Sequence, residues 1–158
     1  MGEVEDLRVR ATWKRIPDVV IDPVFCQGAI DPLSIFQGSR GDGYFLSAVS
    51  ALAEKDERLK NLFPELRMNR YGLYMTRLMY GGVVQEVVVD DYIPVDQQGQ
   101  PLFAKPAKGR EIWIMILEKC WAKLHKSYGA VVGGLPGEVL SSLTRAPNLS
   151  IVVPQSSD

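Results

Sequence analysis

The stretch SIFQGSRGDGYFLSAVSALA, residues 34–53, sets three glycines (Gly38, Gly41 and Gly43) and the polar residues Gln37, Arg40 and Asp42 directly before an apolar stripe. Phe45, Leu46, Val49, Leu52 and Ala53 fall at the spacing of one helix face, and Asp42 stands where an N-cap is expected. The N–H groups of a first helical turn lack intrahelical partners and carry partial positive charge. A thiolate or an oxyanion placed there is stabilised, so the turn suits nucleophilic attack on a carbonyl. It equally suits holding an anion such as phosphate. The Gly-Lys-Ser/Thr run of a P-loop does not follow, so the anion reading rests on the Gly-rich turn alone.

Three other residues carry reactive side chains. Cys120 sits within the apolar stripe of a later helix, where packing is the expected role. Cys26 has no activating neighbour in sequence. His125, the one histidine, lies in a Lys-Leu-His-Lys segment and reads as a solvated surface residue. Gly133-Gly134 marks a turn. Arg40-Gly41-Asp42 spells an adhesion tripeptide, but its place in the Gly-rich turn explains it better.

The elements that must position these residues are legible from periodicity. Trp13 to Phe25, with Pro17 and Pro23, reads as extended chain over the core. The helix from Gly43 is followed by a short one over Glu57 to Phe63, stopped before Pro64. Tyr71 to Tyr80 alternates, with Tyr74, Thr76 and Leu78 on one side, and Gly81-Gly82 turns it into a returning strand over Val83 to Val89. Gln97 to Gly109 reads as a polar loop. Trp113, Ile116, Leu117, Cys120, Trp121 and Leu124 predict a long core helix, and Glu138 to Leu143 a last short one.

The totals fit one domain. Its 158 residues are 46% apolar and 23% charged, with a formal net charge of −1. That balance gives no general affinity for nucleic acid. Two cysteines make no disulfide framework, which fits reduced thiols and a cytoplasmic address. No apolar run reaches the ~18 residues of a membrane span.

Three segments together resemble the calpain family, the calcium-regulated branch of papain-like cysteine proteases. The first is Gln37 to Ala48, QGSRGDGYFLSA; the second is VVVDDYIPVD at Val87 to Asp96; the third is EIWIMILEKCWAKLHKSYGAVVGG, Glu111 to Gly134. Trp13 and the Ile21-Asp22-Pro23-Val24-Phe25 segment fit the family's lead-in, so the likeness runs from about residue 13 to 145 in order. It implies an α+β fold, the first lobe of a protease core. That lobe would have a central helix, a second long helix and a small antiparallel sheet. An arm over 1–12, the lobe over 13–146 and a polar tail over 147–158 follow as the expected organisation.

The resemblance also assigns roles. Gln37 matches the glutamine that helps form the oxyanion hole. Gly43 stands at the position of the catalytic cysteine, and Tyr44 at the family's usual tryptophan. Gly133 and Gly134 match paired glycines that line the substrate cleft; a simple turn is the equal alternative. Glu111 matches a calcium-binding carboxylate, with Cys26 and Gly28 near carbonyl-ligand positions. The loop aspartate that completes that cage falls at Ser34, with nearby Asp31 as the alternative, which weighs against tight calcium binding. The family's histidine and asparagine come from a second lobe that this chain does not reach. The expectation is therefore a catalytically inactive calpain-like domain that binds a peptide or protein partner, within a longer parent chain and without a required cofactor. The alternative is part of an active calcium-dependent endopeptidase whose nucleophile was replaced or whose second lobe lies elsewhere.

Overall fold

A computed structural model describes residues 11–106 and 110–151. The described chain is mixed α+β: four helices and three two-stranded antiparallel ribbons around one core. In order, β1 is Thr12–Arg15, β2 Ile35–Phe36 and α1 Gly43–Ala53. Then come α2 Glu57–Lys60, β3 Leu73–Tyr80, β4 Val83–Asp90, β5 Tyr92–Val95 and β6 Lys105–Pro106. The chain ends in α3 Trp113–Leu124 and α4 Pro136–Thr144, with a 3-10 turn at Tyr128–Val131 between them.

α3 is the hub. It packs on β3, β4, β6 and the turn that follows it. Nine of its residues are buried, from Trp113 to Glu118 and from Cys120 to Ala122. That is more than one stripe, which is what a helix enclosed on several sides requires. α1 buries the predicted face, Phe45, Leu46, Val49, Leu52 and Ala53 together with Ala48. Phe45 stacks on Trp121 with ring centroids 5.7 Å apart, which joins the two helices.

The β3–β4 hairpin has the expected register, from Leu73↔Asp90 to Tyr80↔Val83. Tyr74, Thr76 and Leu78 face inward as the alternation predicts. Gly81 and Gly82 both hold positive φ, 59° and 80°, the conformation that a tight two-residue hairpin turn demands. The expected second helix is shorter, Glu57–Lys60, and its last residues, Leu62 and Phe63, enter the core from a turn instead.

Two expectations need correction. The stretch before Phe25 is not merely draped: β1 pairs with β5, Trp13 opposite Pro94. The 97–109 stretch is not uniformly polar, since Leu102, Phe103 and Ala104 are buried and β6 pairs with β2. Of the expected arm, residues 1–10 lie outside the described residues, and Thr12 already belongs to β1. Residues 107–109 and 152–158 are likewise outside them, and 147–151 form no element. No described helix is long and apolar enough to cross a membrane.

Candidate functional site

Gly43 is the first residue of α1 and is exposed to solvent. A β-carbon built on it would lie 3.4 Å from Gln37 Oε1 and 4.0 Å from its Nε2, ordinary contact distances. Gln37 Nε2 donates to the Arg40 carbonyl at 2.8 Å, so the carboxamide is fixed beside position 43. Gly38 allows the loop to press on its neighbour: a β-carbon there would meet the Phe103 and Leu102 carbonyl oxygens at 2.2 and 2.4 Å. The Arg40 N–H donates to Leu102 O at 3.1 Å and ties the same two segments together.

Asp42 occupies the N-cap position, but its side chain caps nothing. Its backbone carbonyl accepts from Phe45 and Leu46 N–H, while its carboxyl turns inward and is 1% exposed. There it faces Glu118 of α3, which is 2% exposed. Both Glu118 oxygens accept the Ala104 N–H, at 3.1 and 2.9 Å. Burial first, and then the Asp42 carboxyl, push Glu118 well above the usual glutamate range. Sequence reasoning passed over Glu118. The available signal was one acid within the run WIMILEKCWA, whose neighbours are nearly all apolar.

The paired glycines reach the same place by different means. Gly41 lies 3.6 Å, measured from its would-be β-carbon, from the Val132 carbonyl. Gly134 packs on the Tyr44 ring, where a β-carbon would meet Cε2 at 2.5 Å. Gly133 opens onto free space. Neither has positive φ, so Gly134 is required by close packing and not by a left-handed cap. The Tyr44 hydroxyl accepts the Trp121 indole N–H at 3.0 Å, and burial raises its pKa. The structure thus gathers Gln37, Gly43 and Gly134 around one turn.

Glu111, Cys26 and Gly28 come together at a second place. Val24 bridges Glu111, and the Gln27 N–H donates to the Glu111 carboxylate. The donor set holds one carboxylate with backbone carbonyls, and no group of three or more His, Cys, Asp or Glu side chains forms among the described residues. Calcium takes six to eight oxygens, usually with several carboxylates, and Glu111 is the one carboxylate of this set. Burial, and then Glu111, raise the Cys26 thiol, which makes it a poor nucleophile. Cys120 is fully buried, with its thiol pushed up to about 11 by burial, as a packing role requires.

His125 departs from its expected role. It is half-buried at the end of α3, with ring centroids 4.3 Å from Trp121 and 5.5 Å from Tyr80. Its Nε2 is buried without a hydrogen-bond partner among the described residues, and burial lowers its pKa. It is thus a packing histidine and not a solvated one. A cavity of about 520 Å³ lies between Trp13, Pro94, Lys119, Lys123 and Tyr128, with no lining residue from 37–43.

The sequence matches a known family along nearly its whole length. Residues 2–158 match the profile described as calpain family cysteine protease. The calpain-type cysteine protease DEK1 of Zea mays is 39% identical over 144 residues, 87% of this chain and 7% of that protein. The calpain-2 catalytic subunit of Homo sapiens is 34% identical over 135 residues, 84% of this chain and 19% of that protein. The chain therefore spans less than a fifth of these relatives' length, and it belongs to the calpain family of cysteine proteases.

Proposed function

We propose that this chain is a non-catalytic member of the family, a binding or regulatory module of a longer protein. One observation carries the reading: position 43, the first residue of α1 beside the Gln37 carboxamide, has no side chain. Peptide hydrolysis by this route needs a thiolate at that point. Oxyanion-hole and binding contacts alone leave ~10³–10⁴ over water, negligible for an enzyme. The neighbouring hydroxyls are no substitute. Ser47 donates to the Tyr44 carbonyl, and the Tyr44 phenol is held by Trp121 and raised by burial. Cys120 and His125 are committed to packing.

The open space at Gly133, next to the Gly134–Tyr44 contact, supports an extended peptide as the partner. The test is a casein or fluorogenic-peptide assay on purified protein. No turnover is expected, and cleavage blocked by a thiol-protease inhibitor would overturn the reading.

The second reading is a piece of a working calcium-dependent endopeptidase. What favours it is the room at position 43, where a β-carbon meets only ordinary contacts. Gly43→Cys in a chain joined to a second lobe separates the two. Gained activity shows a competent scaffold, and silence favours a binding domain.

A further inference from the structure

We infer that Asp42 and Glu118 share a single proton, and that this proton holds the turn at position 43 closed against residues 102–104. The inference stands whether or not the domain is catalytic.

The two carboxyls come from different elements, the turn before α1 and the middle of α3, and both are essentially sealed from water. Neither Asp42 oxygen has a hydrogen-bond donor among the described residues, although the Glu118 carboxyl lies against it. Two acceptors cannot bond without a proton between them. Two buried carboxylates without cations would each carry a large desolvation cost and repel one another. The groups that act on Glu118 are Asp42 and the Ala104 N–H, and neither is a cation.

The other titratable groups facing the pair are neutral here. They are the Tyr44 phenol from α1 and the Tyr128 phenol from the 3-10 turn. Burial raises both. One carboxyl must therefore keep its proton and donate it to the other. Burial and the neighbouring Asp42 carboxyl both favour keeping that proton on Glu118.

The consequence is mechanical. Glu118 grips the Ala104 N–H while Asp42 sits immediately before Gly43. Gly38 and Arg40 press and bond the same turn onto Leu102 and Phe103. The shared proton is the third tie between the turn and the 102–104 segment. Losing it leaves two anions facing each other beneath position 43. Glu118 and Asp42 are positioning residues: they act on Gln37 and Gly43 through the backbone. Because the folded pair holds its proton more tightly than an unfolded glutamate does, its stabilisation is complete at acid pH. It is lost as pH rises through the folded titration.

Infrared spectroscopy and amide NMR on the intact chain test this. Wild-type protein should show a protonated carboxyl stretch at pH values where exposed glutamates are already ionised. The Ala104 and Gly43 amide resonances should shift with one shared midpoint above the ordinary carboxylate range. Glu118→Gln should remove both the stretch and the shared shift, while its amide still donates to Asp42. A wild-type spectrum with every carboxyl ionised at those pH values would overturn the inference, as would Ala104 and Gly43 amides that titrate separately. The first readout needs no variant, so it decides the question even where the Glu118→Gln chain fails to fold.

Discussion

Gly134 lies against the Tyr44 ring so closely that a β-carbon would come within 2.5 to 2.9 Å of three of its atoms. The ring cannot readily yield, because its hydroxyl is bound by the Trp121 indole and Trp121 stacks on Phe45. The segment after α3 is therefore docked on the first turn of α1 by the lack of a side chain. Gly134→Ala should cost about 1–3 kcal/mol, the usual range for overpacking. Gly133→Ala, next door in open space, should change stability by less than ~0.5 kcal/mol. Urea midpoints of the two variants decide this; equal losses would contradict the packing account.

Position 43 should accept a side chain. With its nearest contact at 3.4 Å and no positive φ, Gly43→Cys should fold with stability within about 1 kcal/mol of the parent. Its thiol, exposed at a helix start, should be alkylated in the native protein, whereas Cys120 should react only after denaturation. Mass spectrometry of native and denatured samples reads both.

His125 gives an acid-side prediction. Burial lowers its folded pKa, so the folded protein binds this proton less readily than the unfolded chain. The stabilisation is present above the unfolded value of ~6.5 and is lost as pH falls through the folded value. Denaturant midpoints should decline across that window, and His125→Phe should flatten the decline. The sign is opposite to that of the Asp42–Glu118 pair, so the two can be told apart in one pH series.

Arg15 and Asp91 join the first ribbon to the hairpin's end. The guanidinium donates through Nε and one Nη to both carboxylate oxygens, each at 2.8 Å. Asp91 is buried and Arg15 is partly exposed, which discounts the pair for solvent screening. Asp91→Asn should cost about 1–3 kcal/mol, chiefly from the lost charge-assisted bonds. Thermal unfolding measures it, and a neutral result would mean that water replaces the carboxylate.

The parts legible in sequence were those set by local pattern. The α1 stripe, the Gly81-Gly82 hairpin and the α3 heptad-like spacing all appear where periodicity put them. What was not legible depended on distant partners. β1 and β5 are four-residue strands about eighty positions apart, and Pro94 within one of them masks the strand signal. Glu118 lay off the expected α3 stripe and so drew no reading, yet α3 is enclosed on that side too. Asp42 had the right type for a cap, and tertiary burial overrode the local role. The roles given to Gln37, Gly43 and Gly134 came from family resemblance and not from spacing.

The dependence of the ribbons on α3 has a consequence for biosynthesis. β3, β4 and β6 all pack on a helix that begins only at Trp113. A chain still on the ribosome has therefore made its hairpin and leading helix before the surface they need exists. The nascent domain should remain protease-sensitive until Leu124 has cleared the exit tunnel, and then fold in one late step.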